Sequence, residues 1–227
     1  MLHLLLEHST LDLIKIKKKI LWIIFALLSI LISLYPLKYL FGAGTVGILN
    51  NKPDSVLSSL LWNIAFYTHI SLGGIALFMG WIQFSTKLKM RRPRIHKTLG
   101  KIYTISVLLS AISAFFIAMF ADEGPWAGLG FSCLSIIWFY TTLMAYLTIK
   151  KKQLVRHQFF MIYSYAACFA AVTLRIWLPV LILTFGNYST AYIIVAWLSW
   201  IPNILVAYLI VYKLRGVYNA KENFSIN

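Results

Sequence analysis

The residues best equipped for chemistry are three histidines and one arginine set in or beside long apolar stretches: His69, His96, His157 and Arg175. Ionisable side chains inside a membrane segment are costly to keep and are by default functional candidates. Imidazole ligates metals and carries protons near neutral pH, and two imidazoles can clamp one iron. A guanidinium recognises carboxylates and phosphates through a planar fork of donors. His96 stands in the run Arg92-Pro93-Arg94-Ile95-His96-Lys97, and His157 in Arg156-His157-Gln158. A metal held between them would have cations nearby for anionic propionates or phosphates. The same pair reads equally as two residues at the level of the lipid headgroups.

His69 belongs to the helical stripe Trp62, Phe66, His69, Gly73, Ala76 and Gly80, whose small members admit a second helix or a flat ligand. Arg175 has no carboxylate at its depth. All six acids, Glu7, Asp12, Asp54, Asp122, Glu123 and Glu222, lie outside the apolar stretches. Its partners are then loop acids, a ligand anion, a lipid phosphate or helix carbonyls, with a snorkelling structural role as the other reading. His157 and Arg175 are 18 residues apart, or about 27 Å along a helix of ~3.6 residues per turn. With Met161, Ser164, Cys168 and Ala171 they mark one semi-polar face, expected to point into the protein. The lack of an intramembrane carboxylate argues against a cation-coupled pump. The chain offers no Ser-His-Asp set, paired carboxylates or Gly-rich phosphate loop, so no motif assigns an enzyme activity. Cys133 and Cys168 lie in apolar runs without zinc spacing and read as buried thiols.

These residues need elements to hold them, and the composition says which. The chain has 227 residues, of which 60% are hydrophobic and 12% charged, with a mean hydropathy of +0.79. Soluble domains carry roughly 45–50% apolar and about 25% charged residues. Soluble, disordered and disulfide-stapled classes are therefore excluded, and the expected fold is all-α: a polytopic transmembrane bundle of six spans. A span needs ~20 mostly apolar residues, and the runs at about 21–41, 58–84, 99–121, 127–149, 157–185 and 191–212 qualify. Segment 1–20 is expected to be cytoplasmic or interfacial, 21–213 the transmembrane domain and 214–227 a cytoplasmic tail. Within the first of these, 1–12 is expected to lie on the membrane surface. Asn203 beside Pro202 is expected to bridge helices at a kink.

The net charge is +15, and its distribution explains it. Eighteen of the 21 Lys and Arg flank one face, Lys38 and Lys52 flank the other, and Arg175 alone is inside a span. The positive-inside rule then places both termini in the cytoplasm. The cations mark topology, so the bilayer is the expected partner and nucleic acid is not.

Several stretches resemble a known family. His69-Ile70-Ser71-Leu72-Gly73-Gly74 with Gly80, Arg94 to Tyr103, Arg156-His157-Gln158-Phe159-Phe160-Met161, Ala170 to Pro179 and Ala196 to Asn203 are similar, in order, to the motifs of a bacterial integral-membrane family catalogued as domain of unknown function 2306. Lysines 97 and 101 stand where that family's second motif has arginines. The resemblance implies a helical bundle in a bacterial cytoplasmic (inner) membrane. By distant analogy to cytochrome b561-like and ferric-reductase-like bundles, it implies a membrane electron-transfer protein holding one heme b. His96 and His157 would be axial ligands, with His69 and Arg175 forming a second polar site for a quinone or other amphiphile. The alternatives are a transporter or small-molecule-binding protein with an anion or amphiphile pocket at His69 and Arg175, and an accessory subunit of a larger membrane complex.

Overall fold

The computed structural model describes residues 2–42 and 47–226, with side chains described outside 2–15, 48 and 221–226. The expected surface placement of 1–12 concerns side chains outside that range. Among the described residues, six helical stretches are long and apolar enough to cross a membrane: Ile16–Phe41, Leu60–Gln83, Pro93–Ala118, Pro125–Lys150, Leu154–Phe185 and Tyr188–Ala220. All six expected runs are present; the first, third and sixth extend five, six and eight residues further toward the basic face than the apolar runs alone, because their helices continue into the Lys- and Arg-bearing flanks.

The first span, Ile16–Phe41, is the later part of α1 (Leu2–Ser33) followed, past Pro36, by the single turn α2 (Leu37–Phe41). A 3-10 turn at Gly47–Asn51 and α3 (Asp54–Leu57) complete the first connection. α4 (Leu60–Gln83) begins at Ser59, whose hydroxyl accepts from the Trp62 amide at 3.4 Å. α5 (Thr86–Arg91) is a short basic helix leading into α6 (Pro93–Ala118), and α7 is Pro125–Lys150. Pro93 and Pro125 both open their helices, where the missing N–H costs nothing and the fixed φ favours the first turn.

The last two spans are each broken. The fifth is α8 (Leu154–Cys168) and α9 (Ala170–Phe185), joined through Phe169. The sixth, Tyr188–Ala220, is α10 (Tyr188–Leu198) and most of α11 (Ile201–Ile226). The second break has a local cause. Pro202 cannot donate into the preceding turn, and its ring crowds that turn's carbonyl. Asn203 takes up the exposed backbone as expected: its amide donates to Ser199 O at 3.0 Å, to Thr173 Oγ1 at 3.1 Å and to Ala166 O at 3.3 Å. The Thr173 hydroxyl donates to the same Ser199 carbonyl.

Helix order in the bundle follows from who touches whom. α4 packs chiefly on α6, α6 on α7, and α7 on α8, while α1 lies along α4. α10 fits between α9 and α7, and α11 lies against α8. The small-residue stripe on α4 does what its composition suggests. Trp62, Phe66, Ala76 and Gly80 are buried. Gly80 is obligatory, since a Cβ there would stand 2.2 Å from the Tyr165 ring and 2.9 Å from that of Tyr103. The core joins these helices around Leu77, Tyr103, Val107, Trp138, Tyr165 and Val172.

Candidate functional site

The polar residues fall into separate sites. The first lies in the half of the bundle away from the basic loops. His69 is about 13 Å below the start of α4, and Ser110 about 12 Å below the end of α6, at ~1.5 Å per residue. Their contact is reciprocal. The Ser110 hydroxyl donates to the His69 carbonyl at 3.0 Å. His69 Nδ1 faces Ser110 Oγ at 3.0 Å and Ser110 O at 3.2 Å. With the serine hydrogen already used, Nδ1 must carry the imidazole hydrogen, and a neutral ring bears its lone pair on Nε2. Gly73, one turn on, keeps this approach open: a Cβ there would sit 3.3 Å from Ser110 Oγ.

Arg175 on α9 lies within electrostatic range of His69. One guanidinium nitrogen donates to Ala171 O at 2.7 Å, and the group stacks 4.2 Å from the centre of the Tyr35 ring. Tyr35 and Tyr39, from the end of the first span, are the aromatic hydroxyls in its electrostatic range. The Arg175 Nε is enclosed and, among the described residues, has no hydrogen-bond partner. Thus α1, α2, α4, α6 and α9 together build a cationic, aromatic-walled site with an imidazole acceptor beside it.

The second site is at the basic face. His96 and His157 lie within electrostatic range of each other, and both within range of Lys89. Their ring nitrogens are engaged in opposite senses. His157 Nδ1 donates to Ala145 O at 2.8 Å, leaving the lone pair on Nε2 as in most metal-bound imidazoles. The Gln83 amide satisfies all its contacts when its NH2 group donates to His96 Nδ1 at 2.9 Å and to His96 O at 3.3 Å, its oxygen accepting from Gly100 N at 3.2 Å. The His96 lone pair is spent on Gln83, so the ring presents Nε2–H. Toward a heme b iron, His157 presents a free lone pair, whereas His96 would do so only with Gln83 turned away from its Nδ1. Among the described residues no cluster of three or more His, Cys, Asp or Glu is arranged to hold a metal ion.

The face shared by His157 and Arg175 is interrupted at Phe169, but its middle does point inward. Ser164 and Cys168 are buried. Ser164 sits at a polar centre the sequence did not announce. Tyr103 and Ser164 hydroxyls are 2.7 Å apart, and those of Thr142 and Ser164 2.6 Å. Tyr165, one residue on, donates to Ser29 Oγ at 3.0 Å and to Leu77 O at 3.1 Å. These bonds tie five helices together in the apolar interior. The only signal was hydroxyl residues within apolar runs, which spanning helices carry routinely.

A third polar feature closes the face opposite the basic loops. Lys52 Nζ donates to Asp122 Oδ1 at 2.6 Å and also to Phe120 O. The two side chains are only 5% and 10% exposed. This links the first connection to the turn between α6 and α7.

No curated protein and no solved structure matches this chain. Residues 66–211 match the family described as Predicted membrane protein (DUF2306). That stretch runs from the middle of α4 into α11 and contains His69, His96, His157 and Arg175. The motif resemblance, the six apolar helices and this match agree, and the chain belongs to the DUF2306 family of integral membrane proteins.

Proposed function

We propose that this membrane protein binds a small amphiphile with an anionic head, Arg175 meeting the head and His69 lying beside it. The observation that carries this reading is the state of Arg175. Its guanidinium is inside a span, its Nε is enclosed without a partner among the described residues, and no acid of the chain falls inside any span. The Ala171 carbonyl and the Tyr35 ring stabilise the cation partly, yet neither brings a negative charge. A cation so placed costs several kcal/mol when uncompensated. A carboxylate entering from the bilayer would supply the missing charge and accept from Nε. His69 would accept from a hydroxyl or protonated head through Nε2, its Nδ1 held by Ser110. The quinone expectation takes the same slot, a carbonyl facing Arg175. Toward heme b, His157 alone presents a free lone pair.

The test is thermal unfolding of detergent-purified protein with laurate, and with dodecanol as the uncharged control. Laurate is expected to raise the Tm and dodecanol not to. Arg175→Gln is expected to abolish the rise, and Arg175→Lys to keep part of it. A laurate effect unchanged in Arg175→Gln would overturn the site.

A further inference from the structure

We infer that the groove between the α7–α8 turn and α11, on the basic face, is a binding site for an anionic phospholipid. The groove is a cavity of about 490 Å³ that adjoins a second one, and the two share Arg156, Phe159 and Arg215. Its rim carries three cations, Lys151, Arg156 and Arg215, all exposed. Among the described residues none of the three is in an ion pair, and Lys52 with Asp122 is the pair that does form. Below the rim the lining turns apolar, with Leu147, Phe160 and Val211. Charge above and hydrocarbon below is the order of a phospholipid, phosphate at the headgroup level and acyl chains down the helix faces. Basic pockets between spanning helices recognise anionic headgroups in this way.

The walls hold Arg215 in place. The Arg215 guanidinium lies 5.9 Å from the centre of the Phe159 ring. The Phe159 and Tyr218 rings meet edge to face at 6.2 Å. Tyr218 in turn donates to Gln158 Oε1 at 3.0 Å, fixing α11 to α8. Lys151 comes from the tight turn after α7, where Lys152 adopts φ 59° and Gln153 N returns to Thr148 O at 2.9 Å. Three cations, from the α7–α8 turn, α8 and α11, thus converge on one opening.

The experiment is lipid retention by the full chain in detergent, read by native mass spectrometry. The probes are phosphatidylglycerol, phosphatidylcholine with the same acyl chains, and glycerol phosphate as the head alone. Phosphatidylglycerol is expected to be retained preferentially. Each of Lys151→Gln, Arg156→Gln and Arg215→Gln is expected to weaken retention about fivefold, the ~1 kcal/mol of a Lys or Arg at an anionic surface. Lys150→Gln and Lys213→Gln, whose residues do not line the groove, are expected to retain it like the parent. Equal retention of the two lipids overturns the proposal. So do control variants that lose as much as the groove variants, and competition by glycerol phosphate at the lipid's own concentration.

Discussion

Ser110 determines which nitrogen of His69 is available, and Gln83 does the same for His96. Those two neighbours divide the histidines into one acceptor in the spans and one donor at the basic face. A preparation supplied with heme during expression is therefore expected to show no Soret band. A Soret band lost in both His96→Ala and His157→Ala would mean that Gln83 releases His96 to the metal. The closing pair on the opposite face gives a stability prediction. Lys52→Met leaves the Asp122 carboxylate enclosed without its cation, which costs about 3–5 kcal/mol. Denaturant unfolding in detergent is expected to show that loss, and Lys52→Met with Asp122→Leu is expected to regain most of it. A single variant as stable as the parent would show that the pair contributes nothing. His69 and Arg175 were legible because a titratable group in an apolar run stands out by cost alone. Lys52 and Asp122 were not, since neither is in a span and the chain between them crosses twice, as α4 and α6. Nor was Ser110, an ordinary small residue of a spanning helix until the fold puts it against His69.

At the scale of elements, the sixth span's break could be read from Pro202 and the fifth's could not. Phe169 follows no proline or glycine. Its turn tightens, with Val172 N reaching Phe169 O at 2.9 Å, where its ring stacks on Phe25 of α1 at 5.2 Å. The cause is a tertiary partner, which local sequence does not contain. The break also means that straight-helix spacing overstates how directly His157 and Arg175 line up. The α4 stripe was legible as close packing, while its partner helix was not. Gly80 makes that packing testable. Gly80→Ala drives a Cβ into the Tyr165 ring and is expected to destabilise by about 1–3 kcal/mol, the usual penalty of overpacking. Gly100→Ala is the matched control, because its Cβ would meet only the Gln83 side-chain amide at 3.6 Å. It is expected to leave the Tm unchanged or raise it, as alanine is the better helix former. Equal losses in the two variants would remove the steric explanation.

For the whole molecule, the distribution of charge joins the two proposed sites. The face opposite the basic loops has two lysines, Lys38 at the end of the first span and Lys52 in the connection after it. Lys52 is neutralised by Asp122, and Lys38 lies 5.9 Å from the centre of the Tyr35 ring. Ion pairing thus reinforces the asymmetry that residue counting suggests, leaving the field of the basic loops unopposed. If those loops are cytoplasmic, the Arg175 site opens toward the outer leaflet and the groove at Arg215 toward the inner, where anionic lipid attracts basic segments. Orientation is therefore the prediction on which both locations depend. In a Cys133→Ala, Cys168→Ala background, Ser55→Cys places a thiol in the first connection and Lys97→Cys one at the start of α6, both exposed positions. A membrane-impermeant maleimide is expected to label the first in intact cells and the second only after permeabilisation. The reverse pattern would put the Lys and Arg clusters outside against the positive-inside bias. It would also exchange the leaflets from which laurate and phosphatidylglycerol reach their sites, while leaving the chemistry of each site as described.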